Sequence, residues 1–185
     1  METTATPYWI EGWAKNYTIM IDTCSVMQKA FQTMIEAFSS TLKNYHKKIV
    51  IPECVITELK KFVDEDSERG NEARMALSLI YQYRTEDLID IRTGITQGFR
   101  PDEYFLSYAP NRVHEKIMFI TQDFLLAKDI LAFNDSGSCL GHYIKVKRID
   151  RFGELKNFDM SRTVDKPMVK PKETNAGEIL KQLGY

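Results

Sequence analysis

Short apolar runs alternate with longer amphipathic stretches along this chain. A short apolar run predicts a strand that is buried on both faces. Apolar residues that recur at three- and four-residue steps predict a helix with one buried face. By these rules the chain has five predicted strands, which occupy residues 17–21, 48–51, 88–92, 116–120 and 143–149.

The segments between these strands predict helices. Apolar residues follow the helical spacing over residues 27–42, and the next helix begins after Pro52, a residue that suits a helix start. A polar break at residues 64–71 (DEDSERGN) precedes a third helix. A short helix at about 102–109 and a longer one at 124–133 follow.

Strands that alternate with helices are typical of α/β folds, because parallel strands need crossover connections. We therefore expect a three-layer α/β/α fold around a five-stranded, mainly parallel sheet. The 185 residues suit one domain, placed at residues 17–150, after an N-terminal extension at 1–16. We expect residues 151–185 to form an arm or linker that ends in a short helix or strand, since lysine–proline pairs make much of it typical of a linker.

Composition narrows the possible settings. The 25 basic and 26 acidic residues give a formal net charge of −1, which excludes a general positive field but leaves room for a local basic patch. Cys24, Cys54 and Cys139 are widely spaced and lack zinc-binding spacing, which indicates reduced thiols in a cytoplasmic protein. No signal peptide is predicted, and no segment approaches the roughly 20 apolar residues of a membrane span.

Four carboxylates fall where an α/β sheet places its functional crevice. Asp22 follows the first strand and Asp123 follows the fourth, and ligands bind beyond the carboxyl ends of parallel strands. Glu58 shares a helix face with apolar residues, and Asp102 opens the short helix. Each also has a simpler interpretation: the three aspartates can cap helices, and Glu58 can be a solvated residue.

Clustered carboxylates repel one another unless a cation lies between them. Oxygen ligands without histidine or cysteine favour a hard ion, Mg²⁺ or Mn²⁺, which can activate water and stabilise a leaving oxygen at a phosphate. The hydroxyls of Thr23 and Ser25, directly after Asp22, suit phosphate binding or support of the carboxylates.

Taken in order, these motifs resemble the PIN-domain ribonucleases over about residues 17–149. The four motifs are IDTCSVM, IVIPECVITELKKF, DEYFLSYA and FITQD. The resemblance implies a sheet of order 3-2-1-4-5 and metal-dependent endonuclease activity on RNA. It also implies a catalytic and metal-binding quartet with hydroxyl support. The quartet is Asp22, Glu58, Asp102 and Asp123, and the supporting residues are Thr23, Ser25 and Thr121.

Two positions depart from the family pattern. Many relatives have Asn where this chain has Cys24, and Phe105 replaces the aliphatic residue that is common in the third motif. In that motif, Glu103 beside Asp102 leaves open which of the two carboxylates faces the site. The same Cys24 argues against a haloacid-dehalogenase-type phosphatase, which needs a second Asp at that place. An inactive PIN-like domain that serves as an RNA-binding or protein-interaction scaffold stays open as the alternative function.

The expected partner is an RNA substrate. Its phosphates have five candidate contacts, which are Lys60, Lys61, Arg100, Arg112 and Lys116. The lysines of the arm can hold RNA or a neighbouring subunit, and Tyr8, Trp9 and Trp13 can stack on bases or cover the core. A homodimer, an antitoxin or another protein partner stay open, and no membrane partner is expected.

Overall fold

The computed structural model describes residues 8–94, 99–112, 114–135 and 144–161. The strands are β1 (Thr18–Ile21), β2 (Ile49–Pro52), β3 (Ile89–Arg92), β4 (Ile117–Ile120), β5 (Ile144–Ile149) and β6 (Leu155–Lys156). The helices are α1 (Tyr8–Asn16), α2 (Thr23–Val26), α3 (Phe31–Asn44), α4 (Glu53–Phe62), α5 (Glu68–Thr85), α6 (Pro101–Tyr108) and α7 (Phe124–Ala132).

The strands form one sheet in the order β3-β2-β1-β4-β5-β6. The first five strands of that order are parallel, which confirms the predicted α/β fold and the order 3-2-1-4-5. Among the described residues the sheet has one strand more than the predicted five, because β6 adds an antiparallel strand beside β5. With only two residues, β6 is too short to produce a recognisable pattern.

The central strands lie in the core. Every residue of β2 and β4 is buried, as are the last three residues of β1. Burial on both faces explains why their sequences are continuous apolar runs. Helix α6 packs on this sheet through Phe105, whose ring meets that of Phe119 edge-on at 5.4 Å between centroids. This contact fixes the helix that carries Asp102.

The first crossover differs from the single predicted helix over residues 27–42. It is divided into α2 and α3, and residues 27–30 form the break between them. Asp22 caps α2 by accepting a hydrogen bond from the Ser25 N–H at 2.8 Å. The short α2 lies before the predicted helix and turns the chain at the carboxyl end of β1, and the predicted helix begins four residues earlier than α3.

The third helix begins inside the predicted polar break. Ser67 caps α5 by accepting from the Gly70 N–H at 3.1 Å, so residues 68–71 are helical. A Cβ atom on Gly70 would lie 2.0 Å from the carbonyl oxygen of Glu65. The turn between α4 and α5 therefore requires glycine at this position, since any side chain would collide with the backbone.

The two ends of the described chain join the core. Ile10 and Ala14 of α1 are buried, and α1 packs on α3. Residues 155–156 pair with β5 through a hairpin in which Gly153 has φ +81°. Thus part of the predicted extension and part of the predicted arm are folded onto the domain.

Several predictions fall outside the described residues. These are Cys139, the side chains of Tyr8 and Trp9, and the arm beyond residue 161 with Lys166, Lys170 and Lys172. Within the described ranges, no helix combines the length and the apolar character needed to cross a membrane.

Candidate active site

A cavity of about 580 Å³ opens where β1 and β4 end. These strands are parallel neighbours, with Ile21 opposite Ile120, so the residues that follow them meet at one edge of the sheet. Six carboxylates line the cavity. They are Asp22, Glu58, Glu68, Glu72, Asp102 and Asp123. All four carboxylates singled out in the sequence are among them.

Asp22 is the most enclosed of the four, with 3% of its surface exposed. Its Oδ1 accepts from the Ser25 N–H, and its Oδ2 accepts from the Thr121 hydroxyl. Burial raises the pKa of Asp22 to about 6, although these two hydrogen bonds favour the ionised form. Within the described ranges Asp22 forms no ion pair, and a buried carboxylate without a cationic partner is the feature that a bound cation would stabilise.

Thr121 joins the two strand ends. Its hydroxyl donates to Asp22, and its oxygen accepts from the Asp123 N–H at 2.9 Å. Asp123 in turn caps α7, with its Oδ1 accepting from the N–H groups of Leu125 at 2.7 Å and Leu126 at 3.1 Å. A single hydroxyl therefore fixes Asp22 relative to the first turn of α7.

Asp102 and Glu103 have different positions. Glu103 accepts a hydrogen bond from the Arg100 N–H at 3.0 Å and so caps α6. Asp102 lines the cavity instead, and no hydrogen bond to its carboxylate occurs within the described ranges. Burial raises the pKa of Asp102, and the neighbouring charges of Asp123 and Glu58 raise it further against the opposing charge of Arg100.

The residues after Asp22 divide between cavity and core. Thr23 and Cys24 line the cavity, whereas Ser25 is fully buried behind it. The Thr23 hydroxyl is buried and has no hydrogen-bond partner among the described residues. Burial and the charges of nearby aspartates raise the pKa of Cys24 to about 12, so its thiol is protonated at neutral pH.

The donor set of the cavity fits a hard divalent cation. Carboxylate oxygens dominate it, and the orphaned Thr23 hydroxyl adds a further oxygen. No three His, Cys, Asp or Glu side chains in the described ranges are close enough to hold one ion together. Mg²⁺ usually retains several waters and binds only one or two carboxylates directly, so such a spacing suits a hydrated ion.

The sequence reasoning missed Arg69 at the cavity. It lies in the first turn of α5, and its guanidinium carbon is 3.5 Å from the Phe62 ring centroid. Among the described residues that line the cavity, Arg69 is the one with a positive charge. Residues 64–71 were assigned to a break, so no signal placed this side chain beside the carboxylates.

None of the five predicted phosphate contacts lines the acidic cavity. Lys60 and Lys61 are exposed on α4, and Lys116 is exposed at the amino end of β4. Arg100 directly precedes α6, close enough for its charge to act on Asp102. Arg112 lines a separate cavity.

Comparisons with known proteins match this region. A model of the PIN domain matches residues 19–129. No curated protein matches the chain. Among solved structures, the PIN domain endonuclease Utp24 is similar at 15% identity and a TM-score of 0.49, over 80% of this chain and 98% of that chain. A domain of a functionally unknown protein from Methanocaldococcus jannaschii DSM 2661 is similar at 17% identity and a TM-score of 0.43, with the same coverage. The matched PIN-domain segment contains Asp22, Glu58, Asp102 and Asp123.

Proposed function

This chain belongs to the PIN-domain family, and on that premise we propose that it is an endoribonuclease that depends on Mg²⁺ or Mn²⁺. PIN domains are generally nucleases. The observation that carries the proposal is the convergence of Asp22, Glu58, Asp102 and Asp123 on one cavity at the carboxyl edge of a parallel sheet. The substrate is RNA, and the reaction is hydrolysis of a phosphodiester bond.

The four carboxylates would hold a hydrated divalent ion, one or two of them directly and the others through its bound waters. When bound, the ion stabilises the negative charge that develops on the phosphate oxygens. The protein's part is orientation: the Ser25 N–H and the Thr121 hydroxyl fix the two oxygens of Asp22 before substrate arrives. This preorganisation lowers the reorganisation required during reaction.

Two further side chains suit contact with the phosphate backbone. The unpartnered Thr23 hydroxyl can donate to a phosphate oxygen at the cavity wall. Arg69 provides a planar cation, held against Phe62 by a cation–π contact, that can bind a phosphate through two hydrogen bonds. The cavity would thus combine a cation-binding side with one cationic residue for the substrate.

The test is cleavage of single-stranded and structured RNA with Mg²⁺ or Mn²⁺. We expect cleavage by the wild type, loss of at least about 100-fold in kcat/KM for Asp22→Asn, and unchanged activity for the control Asp129→Asn. Asp129 is exposed on α7 and does not line the cavity. Equal activity of wild type and Asp22→Asn would contradict the proposal. Tight RNA binding without cleavage by either would favour the inactive scaffold.

We also propose a cytoplasmic setting. Cys24 and Cys54 are free thiols, and neither forms a disulfide among the described residues. Burial raises the pKa of Cys54 to about 11, so both thiols stay protonated at neutral pH. A reducing compartment accommodates such thiols.

A further inference from the structure

A second cavity, of about 260 Å³, lies beside the helix that carries Asp102. The end of β3 contributes Arg92 and Thr93 to it. Helix α6 contributes Tyr108, and the turn after α6 contributes Arg112. None of its described lining residues lines the acidic cavity. We call this cavity the Arg–Tyr pocket.

Two guanidinium groups converge on one aromatic ring in the Arg–Tyr pocket. The guanidinium carbons of Arg92 and Arg112 lie 5.8 Å and 5.4 Å from the centroid of the Tyr108 ring. Cation–π attraction orients both groups. Neither guanidinium forms an ion pair with a residue in the described ranges. Guanidinium groups that converge without a directly paired carboxylate favour an anionic ligand.

The positive charges of Arg92 and Arg112 are offset by a nearby negative charge to different degrees. Arg92 is half-buried and donates to the Tyr108 hydroxyl at 2.7 Å, and that hydroxyl donates to the Glu115 carboxylate at 3.2 Å. The negative charge of Glu115 therefore offsets the positive charge of Arg92 through the Tyr108 hydroxyl that connects them. Arg112 is exposed, and its guanidinium lies over the Tyr108 ring. The pocket keeps a positive charge, and Arg112 carries it.

The pocket suits one nucleotide. Guanidinium planes bind phosphates through paired hydrogen bonds and also stack on nucleobases. The pocket volume of about 260 Å³ is below the roughly 300–1,000 Å³ of pockets for drug-sized ligands. Its size therefore suits one nucleotide and not a longer segment of RNA. Asn111 lines the pocket, and its Nδ2 donates to the Ser107 carbonyl at 2.7 Å, while no hydrogen bond to its Oδ1 occurs within the described ranges. Such an amide can recognise a base edge.

We propose that the Arg–Tyr pocket binds one nucleotide of the single-stranded RNA whose scissile phosphate occupies the acidic cavity; this rests on the proposed function. Helix α6 connects the two sites, because Asp102 lines one and Tyr108 the other. Asp102 and Tyr108 are six positions apart in the helix, which corresponds to a rise of about 9 Å. An RNA strand bound along α6 would contact the carboxylates at the Asp102 end of the helix and the guanidinium groups at the Tyr108 end.

The test measures binding of a fluorescent single-stranded RNA by anisotropy, on the Asp22→Asn background with Mg²⁺. Adding Arg112→Gln should weaken binding about fivefold and reduce the slope of log K against log salt by about 0.7, the effect of one lost phosphate contact on a single strand. Arg112→Lys keeps the charge and should retain part of the affinity. Arg84→Gln is the matched control, since Arg84 is exposed at the far end of α5 and lines neither cavity.

A competition arm separates a nucleotide site from a simple anion site. Adenosine 5′-monophosphate should displace the RNA at lower concentration than inorganic phosphate, and Arg112→Gln should abolish this advantage. Equal competition by the two ligands would overturn the nucleotide assignment. Equal affinities and salt slopes for the Arg112→Gln and Arg84→Gln proteins would overturn the whole inference.

The outcomes separate this inference from the proposed function. If the wild type cleaves RNA and the affinity for RNA does not depend on Arg112, the nucleotide site in the Arg–Tyr pocket is rejected and the nuclease function is retained. Binding that depends on Arg112 without cleavage by the wild type would retain the pocket and reject the nuclease. Unchanged melting temperatures of the variants would show that the protein remains folded in each comparison.

Discussion

Asp22 combines a structural and a proposed chemical role in one side chain. It caps α2, it accepts the Thr121 hydroxyl, and its burial raises its pKa to about 6. The cap alone would be satisfied by asparagine, which offers the same acceptor without the charge. Retaining a carboxylate in this position therefore costs stability unless a cation is bound.

The raised pKa predicts how stability changes with pH in chelator. Asp22 has a pKa of about 6 in the folded protein and about 3.8 when unfolded. Between these values the folded state binds the extra proton, so this group's stabilising contribution is full below pH 3.8 and is lost as pH rises through 6. At about 1.4 kcal/mol per pKa unit, the loss is roughly 3 kcal/mol.

We therefore expect Asp22→Asn to be more stable than the wild type at pH 7 and the gap to narrow at pH 4.5. Urea unfolding in EDTA at both pH values measures this difference. Asp129→Asn should follow the wild type at each pH. A gap that is independent of pH would contradict the titration of Asp22.

Arg69 gives a second prediction at the scale of single residues. Because its contact with a phosphate would exist in both the ground state and the transition state, Arg69→Ala should raise KM for RNA cleavage about five- to tenfold with a smaller change in kcat. Arg69→Lys should recover part of the loss, since it keeps the charge but not the fork of donors. Steady-state kinetics measure both, with Arg84→Ala as control. A change confined to kcat would assign Arg69 another role.

At the scale of elements, the sequence indicates a position best where a residue follows a strand within a few positions. Asp22 and Asp123 line one cavity because β1 and β4 are parallel neighbours whose ends share one edge of the sheet. Arg69 and Arg92 were missed, because their positions depend on where α5 begins and on how α6 packs over β3. Neither is encoded in periodicity. Helix boundaries here follow caps such as Ser67 rather than apolar spacing.

Gly70 gives a prediction for the turn between α4 and α5. Gly70→Ala should destabilise the protein by about 1–3 kcal/mol, because its Cβ would collide with the Glu65 carbonyl. Gly12→Ala is the matched control: among the described residues, no atom beyond its chain neighbours and the backbone of its own helix lies within 4 Å of the added Cβ, and alanine in helix α1 should stabilise by up to about 1 kcal/mol. Urea unfolding measures both. Equal effects of the two substitutions would contradict the close approach at Gly70.

At the scale of the whole molecule, the net charge is near zero although negative and positive side chains are concentrated in different cavities. The acidic cavity holds six carboxylates, whereas the Arg–Tyr pocket holds two guanidinium groups. The composition argues against a uniformly basic surface but could not show this separation, which depends on the fold. Approach of RNA should consequently depend on a divalent ion at one site and on salt at the other.

This arrangement predicts stabilisation by metal. Mn²⁺ at about 100 times its Kd should raise the free energy of unfolding by about 2.7 kcal/mol, if the folded state alone binds it. Thermal melts over a Mn²⁺ titration measure the effect. Asp22→Asn should show a much smaller shift and Asp129→Asn the full shift. Identical shifts for all three proteins would place the ion outside the cavity.

Two of the four carboxylates also cap helices, and this difference predicts which of the four positions would change first during evolution. Asp22 and Asp123 each cap a helix, while Glu58 and Asp102 accept no hydrogen bond within the described ranges. A lineage that abandoned catalysis would be free to change Glu58 and Asp102 first. At positions 22 and 123 it would still need a capping side chain, so asparagine or serine would be expected there. In duplicated genes whose products no longer cleave RNA, positions 58 and 102 should therefore vary more than positions 22 and 123.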